Sequence, residues 1–134
     1  IESVGGMKFL LDTHVFLWWL FDDPDLSQPA RDAIRDPGNS VLVSAASAWE
    51  ISTKHRLGKL PEAGEAVGNL PALLRSARME ALPVTVEHAL AAGALPGPHR
   101  DPFDRMLIAQ SRLEDLPVVT ADPVFGRYSV RTVW

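Results

Sequence analysis

Lys8-Phe9-Leu10-Leu11-Asp12-Thr13-His14 is the stretch on which the fold turns. An apolar run closes on an acid, and a strongly apolar helix is expected next, over about His14–Phe21. Strands buried on both faces are continuously apolar, whereas a sheet with one wet face alternates. The same pattern recurs along the chain. Val41-Leu42-Val43 precedes a helix expected over Ala45–Arg56, and Ala81–Val84 precedes one capped by Thr85 and running to about Ala92. A strong helix expected from Asp101-Pro102 to about Leu113 leads into Val118–Thr120, and Val130–Val133 supplies a last short strand. Ser27 reads as an N-cap for Gln28–Arg35, with Pro29 in the first turn. Asn69 starts a helix to about Arg78, with Pro71 in its first turn. Strand and helix alternate almost throughout. The expected class is therefore α/β: a three-layer sandwich around a mainly parallel central sheet of about five strands.

With 134 residues, the chain is long enough for one domain with a real core. The expected domain is residues 7–134. Ile1-Glu2-Ser3-Val4-Gly5-Gly6 reads as an appendage ahead of a natural start at Met7. Cysteine is absent, which excludes disulfides, zinc–thiolate sites and thiol catalysis. Asp12 and His14 interrupt the most apolar stretch, so no membrane span is expected, and with no secretory signal evident the expected location is the cytoplasm. The net charge of −4 argues weakly against nucleic-acid binding, but acids committed to a metal would leave the remaining surface near balance.

Four acids sit where strand gives way to helix: Asp12, Glu50, Asp104 and Asp122. In an open α/β sheet, the carboxyl ends of the strands and the adjoining helix starts line the ligand crevice. Acids gathered there repel one another unless a cation neutralises them. Each also has an ordinary structural role open to it. Asp12 and Asp122 suit a helix cap and a turn. Glu50 fits a capping box with Ser47, although Ser44 is an equally good cap and would place Glu50 deeper in the helix, between a partly buried Trp49 and Ile51. Asp101, just before Pro102, is best assigned to capping, which leaves Asp104 at the third helical position. Taken together, hard oxygen donors without His or Cys favour Mg²⁺, with Mn²⁺ as the alternative. Two other phosphate-handling classes fit less well. A haloacid-dehalogenase-like phosphatase needs an Asp where His14 stands, and a receiver domain needs an acidic pair that this chain lacks before its first strand.

From Met7 to about Trp134 the chain resembles the PIN-domain ribonucleases, in particular VapC-type toxins of bacterial toxin–antitoxin pairs. The resemblance rests on Phe9-Leu10-Leu11-Asp12-Thr13-His14, on Ser44-Ala45-Ala46-Ser47-Ala48-Trp49-Glu50-Ile51, on Asp101-Pro102-Phe103-Asp104-Arg105-Met106-Leu107-Ile108-Ala109-Gln110, and on Val118-Val119-Thr120-Ala121-Asp122. The third segment is the most specific. The resemblance implies a PIN-like fold and a catalytic, metal-binding quartet of Asp12, Glu50, Asp104 and Asp122. Asp12 and Asp104 would be the most direct Mg²⁺ ligands. It implies metal-assisted hydrolysis of an RNA phosphodiester, one ion activating water and a second stabilising the leaving 3′ oxygen. It also implies a cognate antitoxin and a second copy of the chain, in a homodimer, as partners.

Arg105 and Arg100 are candidates for RNA phosphate contact, whereas Lys54 and Arg56 read as solvated surface charge and His14 and His99 as helix-face and loop histidines. Val15-Phe16-Leu17-Trp18-Trp19-Leu20-Phe21 carries more apolar surface than one helix buries in its own core, so part of it is expected to meet another chain. Two other functions remain open at this point: a noncatalytic RNA-binding or scaffold protein on the same fold, and a metal-dependent phosphatase or DNA nuclease.

Overall fold

A computed structural model describes residues 6–134 of the chain. The expected appendage, apart from Gly6, lies outside the described residues. Five parallel strands are ordered β3-β2-β1-β4-β5. They are β1 (Lys8–Leu11), β2 (Ser40–Ser44), β3 (Glu80–Leu82), β4 (Val118–Val119) and β5 (Thr132–Val133). Seven helices connect them: α1 (Thr13–Leu20), α2 (Gln28–Arg35), α3 (Ala45–Arg56), α4 (Gly64–Ser76), α5 (Val86–Ala94), α6 (Pro102–Glu114) and the short α7 (Val124–Arg127). Among the described residues no helix is long and apolar enough to cross a membrane.

The apolar strands serve two cores, one on each side of the sheet. Phe9, Leu11, Val41, Val43 and Val119 face a core that includes Val15, Phe16, Ile51 and Leu74 from the helices between β1 and β3. Leu10, Leu42 and Val118 face the other way, against Leu107, Ile108 and Phe125 of α6 and α7. Successive strand residues point to opposite faces, so continuous apolarity and a three-layer sandwich are one fact seen twice. The chain builds outward from β1 through β2 to β3, then returns to place β4 on the other flank of β1. The β1–β4 boundary is thus the topological switch point, where parallel sheets open a crevice.

Sequence-based boundaries hold for α2 and α3 and shift by a few residues at most other elements. The helix expected from Asn69 is the second half of α4. Asn69 breaks helical geometry (φ −146°, ψ 24°), and Pro71 falls in the turn that follows. The first half, from Gly64, was masked by Gly-Glu-Ala-Val-Gly, a poor helix sequence that gains from packing of the buried Ala66. The 3₁₀ turn Pro61–Ala63 and α7 were likewise unforeseen. α6 is anchored to α5 by the buried His88, whose Nε2 lies 2.8 Å from Glu114 Oε2, and to the segment ahead of α5 by Gln110 Nε2, which donates to Pro83 O at 3.2 Å.

Candidate active site

Asp12 ends β1 at the N-cap position of α1, yet its side chain caps nothing. Oδ2 instead accepts a 2.7 Å hydrogen bond from Thr120 Oγ1, just past β4. Oδ1 is buried with no hydrogen-bond partner. Burial raises the Asp12 pKa; the Thr120 bond and the charge of His14 oppose the rise, and Glu50 and Asp122 add to it. The capping role open to Asp12 is therefore not the one it fills.

Glu50 projects from the second turn of α3. Ser44 is the cap, its Oγ accepting from Ala46 N at 3.0 Å, while Ser47 turns to Thr13 and forms a buried 2.7 Å hydroxyl–hydroxyl bond. That bond ties the start of α3 to the start of α1, beside Asp12. Glu50 is only 2% exposed. Its Oε2 accepts from Lys54 Nζ at 2.6 Å, and Oε1 has no partner. Trp49, expected to be partly buried, is 64% exposed. Neighbours on a helix point about 100° apart, and here the buried sector belongs to Glu50 and Ile51. Trp49 meets Phe103 edge-on, with ring centroids 5.0 Å apart.

Asp104 occupies the first turn of α6. Asp101 caps that helix as expected, Oδ1 accepting from the backbone N–H groups of Phe103 (2.9 Å) and Asp104 (3.1 Å). Asp104 Oδ2 lies 3.0 Å from His99 Nε2. Burial lifts the Asp104 pKa to about 6; the His99 bond opposes the rise, and Asp101, Asp12 and Glu50 reinforce it. Asp122 is exposed and partly occupied in its own turn, Oδ1 accepting from Val124 N at 3.0 Å.

The four acids thus share one electrostatic neighbourhood at the carboxyl edge of the sheet. As they stand, no three His, Asp or Glu groups among the described residues close around one point at ligand spacing. Lys54 engages one oxygen of Glu50, and His99 one oxygen of Asp104. The donor set nonetheless suits a hard divalent cation. It is all carboxylate, and two of its oxygens, Asp12 Oδ1 and Glu50 Oε1, are buried without any partner. Such orphans are costly unless another group satisfies them.

One expectation is corrected. Arg105 is not free for phosphate. Its guanidinium donates to the carbonyls of Ala92 (3.0 Å), His99 (2.9 Å), Gly93 (3.2 Å) and Leu95 (2.8 Å), and so holds the loop that carries His99. Arg100 remains exposed beside the site. Lys54, read as surface charge, and His99, read as a loop histidine, contact the acids, and Thr120 was missed. The i, i+4 spacing of Glu50 and Lys54 was the available signal. Burial lowers the Lys54 pKa, but the hydrogen bond and charge of Glu50, with Asp101 and Asp104, outweigh it and leave the pKa raised. An apolar pocket of about 430 Å³ is lined in part by Ala46 and Trp49 of α3, Ala92 of α5, and Phe103 and Met106 of α6.

The PIN domain family model matches residues 9–130, and the chain belongs to that family. Over 68 residues it is 41% identical to Ribonuclease VapC16 of Mycobacterium tuberculosis, a match that takes in 51% of this chain and 47% of that protein. The chain thus aligns with about half the length of this curated relative. In architecture it is similar to a chain in the crystal structure of VapBC2 from Rickettsia felis bound to a promoter DNA fragment (TM-score 0.68, 17% identity, 94% of this chain and 97% of that one). It is similar also to a chain of FitAcB from Neisseria gonorrhoeae (TM-score 0.62, 21% identity, 94% and 96% covered). At these identities the likeness speaks for the fold.

Proposed function

We propose that the chain is a Mg²⁺-dependent endoribonuclease, the toxin of a type II toxin–antitoxin pair, acting in the cytoplasm. The observation that carries it is the pair of unpartnered, buried carboxylate oxygens on Asp12 and Glu50, in a site where burial raises the pKa of both Asp12 and Asp104. A scaffold or noncatalytic RNA binder has no use for so costly an arrangement. Family membership and the 41% identity to a ribonuclease support the substrate class.

Asp12, Glu50 and Asp104 would hold the divalent cation, with Asp122 completing the set. When bound, the ion activates water and stabilises charge on the leaving oxygen. The chain's own residues do the rest. Thr120 fixes the rotamer of Asp12, and Ser47 with Thr13 keeps the start of α3 against the start of α1 so that Glu50 faces the cluster. His99 stands at Asp104 and can carry a proton at Nε2. Arg100 contacts an RNA phosphate beside the cluster. Trp49 and Phe103 offer aromatic faces to flanking bases.

Regulation is by a cognate antitoxin, and the chain acts as a homodimer. The structural relatives include VapBC and FitAB assemblies. Within α1, Val15, Phe16 and Leu17 are buried, whereas Trp18, Trp19 and Leu20 are only partly covered and Phe21, just past its end, is exposed; Trp18 lies 5.7 Å from Trp134 between ring centroids. That residual surface suits a partner chain.

The test is an RNA-cleavage assay of purified protein with Mg²⁺, with EDTA, and with Asp12→Asn and Asp104→Asn variants. Cleavage that requires Mg²⁺ and both acids is expected. Cleavage that persists in EDTA, or that is equal in wild type and variants, would sink the mechanism.

A further inference from the structure

The acid cluster contains its own cation. Lys54 Nζ lies 2.6 Å from Glu50 Oε2, and the Lys54 side chain is 32% exposed against 3% for Glu50. The ammonium therefore stands at the mouth of the site and reaches inward to a carboxylate that solvent scarcely touches. An ordinary i, i+4 pair on a helix surface contributes little and joins two wet groups. This one neutralises a buried charge, and it leaves the other oxygen, Glu50 Oε1, without a partner.

We propose that Lys54 is a resident counter-ion that competes with the divalent cation for Glu50, so that metal loading is coupled to the arrival of RNA. The inference rests on the function proposed above. In the metal-free protein the ammonium neutralises Glu50. A divalent ion that takes Glu50 deprives the ammonium of its nearest anion and sets a second cation beside it, which penalises loading. A phosphodiester in the site gives the ammonium a new anionic partner and removes that penalty. Each ligand then raises the affinity for the other by the same factor, as linkage requires.

The experiment is calorimetric titration of the full chain with Mn²⁺ in the absence of RNA. Wild type is compared with Lys54→Met, Lys54→Arg and a control, Lys59→Met, which removes an exposed charge just past the end of α3. Loss of the competitor should tighten Mn²⁺ binding about tenfold in K54M, with K54R near wild type and K59M within about twofold of it. In an E50Q background, where the ion pair is already broken, K54M should change affinity by less than about twofold. Adding a short mixed-sequence RNA with phosphorothioate linkages should tighten Mn²⁺ binding in wild type and leave K54M nearly unmoved. A structural role alone would lower stability without tightening metal binding. Mn²⁺ binding by wild type with no gain in K54M, or a gain matched by K59M or retained in the E50Q background, overturns the competition and leaves the metal site standing. RNA that tightens binding equally in both proteins overturns the coupling. Absence of Mn²⁺ binding in wild type overturns the metal site and this inference with it.

Discussion

Thr120 donates a 2.7 Å hydrogen bond to Asp12 across the β1–β4 boundary, and the same hydroxyl oxygen accepts from Asp122 N at 3.0 Å. One side chain thereby joins two of the four acids. Thr120→Val keeps the shape and removes both bonds. It should cost about 1–2 kcal/mol in denaturant melts, since Asp12 loses its one donor while buried. Cleavage should fall at least about tenfold if the Asp12 rotamer is what the bond secures, because small misplacements of reacting groups are expensive. Thr120→Ser should retain most of both.

Asp104 makes metal-free stability depend on pH in an unusual direction. Its folded pKa, about 6, lies above the ordinary aspartate value of 3.8. The folded state therefore holds a proton that the unfolded chain has already lost. Stability from this group is fully present below about pH 4, falls as pH rises towards 6, and levels off above. Asp12, also raised, acts in the same sense. Urea melts in EDTA should show this decline, and Asp104→Asn should flatten it. Divalent cations bind the ionised form, so metal affinity should instead climb over the same interval, with proton release visible by calorimetry in buffers of different ionisation enthalpy.

Arg105 serves the loop ahead of α6 rather than the substrate. Arg105→Lys cannot reproduce a fork onto four carbonyls, so the exchange is not conservative. A loss of about 2 kcal/mol is expected. Hydrogen exchange should quicken over residues 95–100, and cleavage should suffer through the displaced His99. Unchanged exchange in that loop would refute the assignment.

Asp12→Asn separates stability from function. In EDTA it should melt at or above the wild-type temperature, because a buried carboxylate with one unsatisfied oxygen becomes neutral. Mg²⁺ should raise the wild-type melting temperature and leave the variant almost unmoved. A variant that melts well below wild type in EDTA would mean that the ionised carboxylate is structural.

Much of this architecture was legible in the sequence because its strands are buried on both faces. Phe9-Leu10-Leu11 and Val41-Leu42-Val43 leave no polar alternation, and that single property implies parallel strands and covering helices. The acids Asp12 and Glu50 stood out for a related reason: a charge at the edge of an apolar run needs a partner. What stayed hidden depends on long-range geometry. Nothing local in Thr120 announces a bond to a residue 108 positions away. The loop carbonyls that engage Arg105 become acceptors only once α5 ends beside α6. Trp49 was misjudged because apolarity predicts burial, while the helix phase that buries Glu50 turns its neighbour outward.

The span of the Thr120–Asp12 bond has a temporal consequence. Chains leave the ribosome N-terminus first, and Asp12 and Glu50 emerge long before β4 exists. β1 sits at the centre of the sheet but waits for one flank until β4, its later neighbour, has been synthesised. Until then Asp12 has no Thr120 to hold it, and Asp122, which follows β4, is absent. On the function proposed above, competence therefore arrives late in synthesis, as a step of assembly.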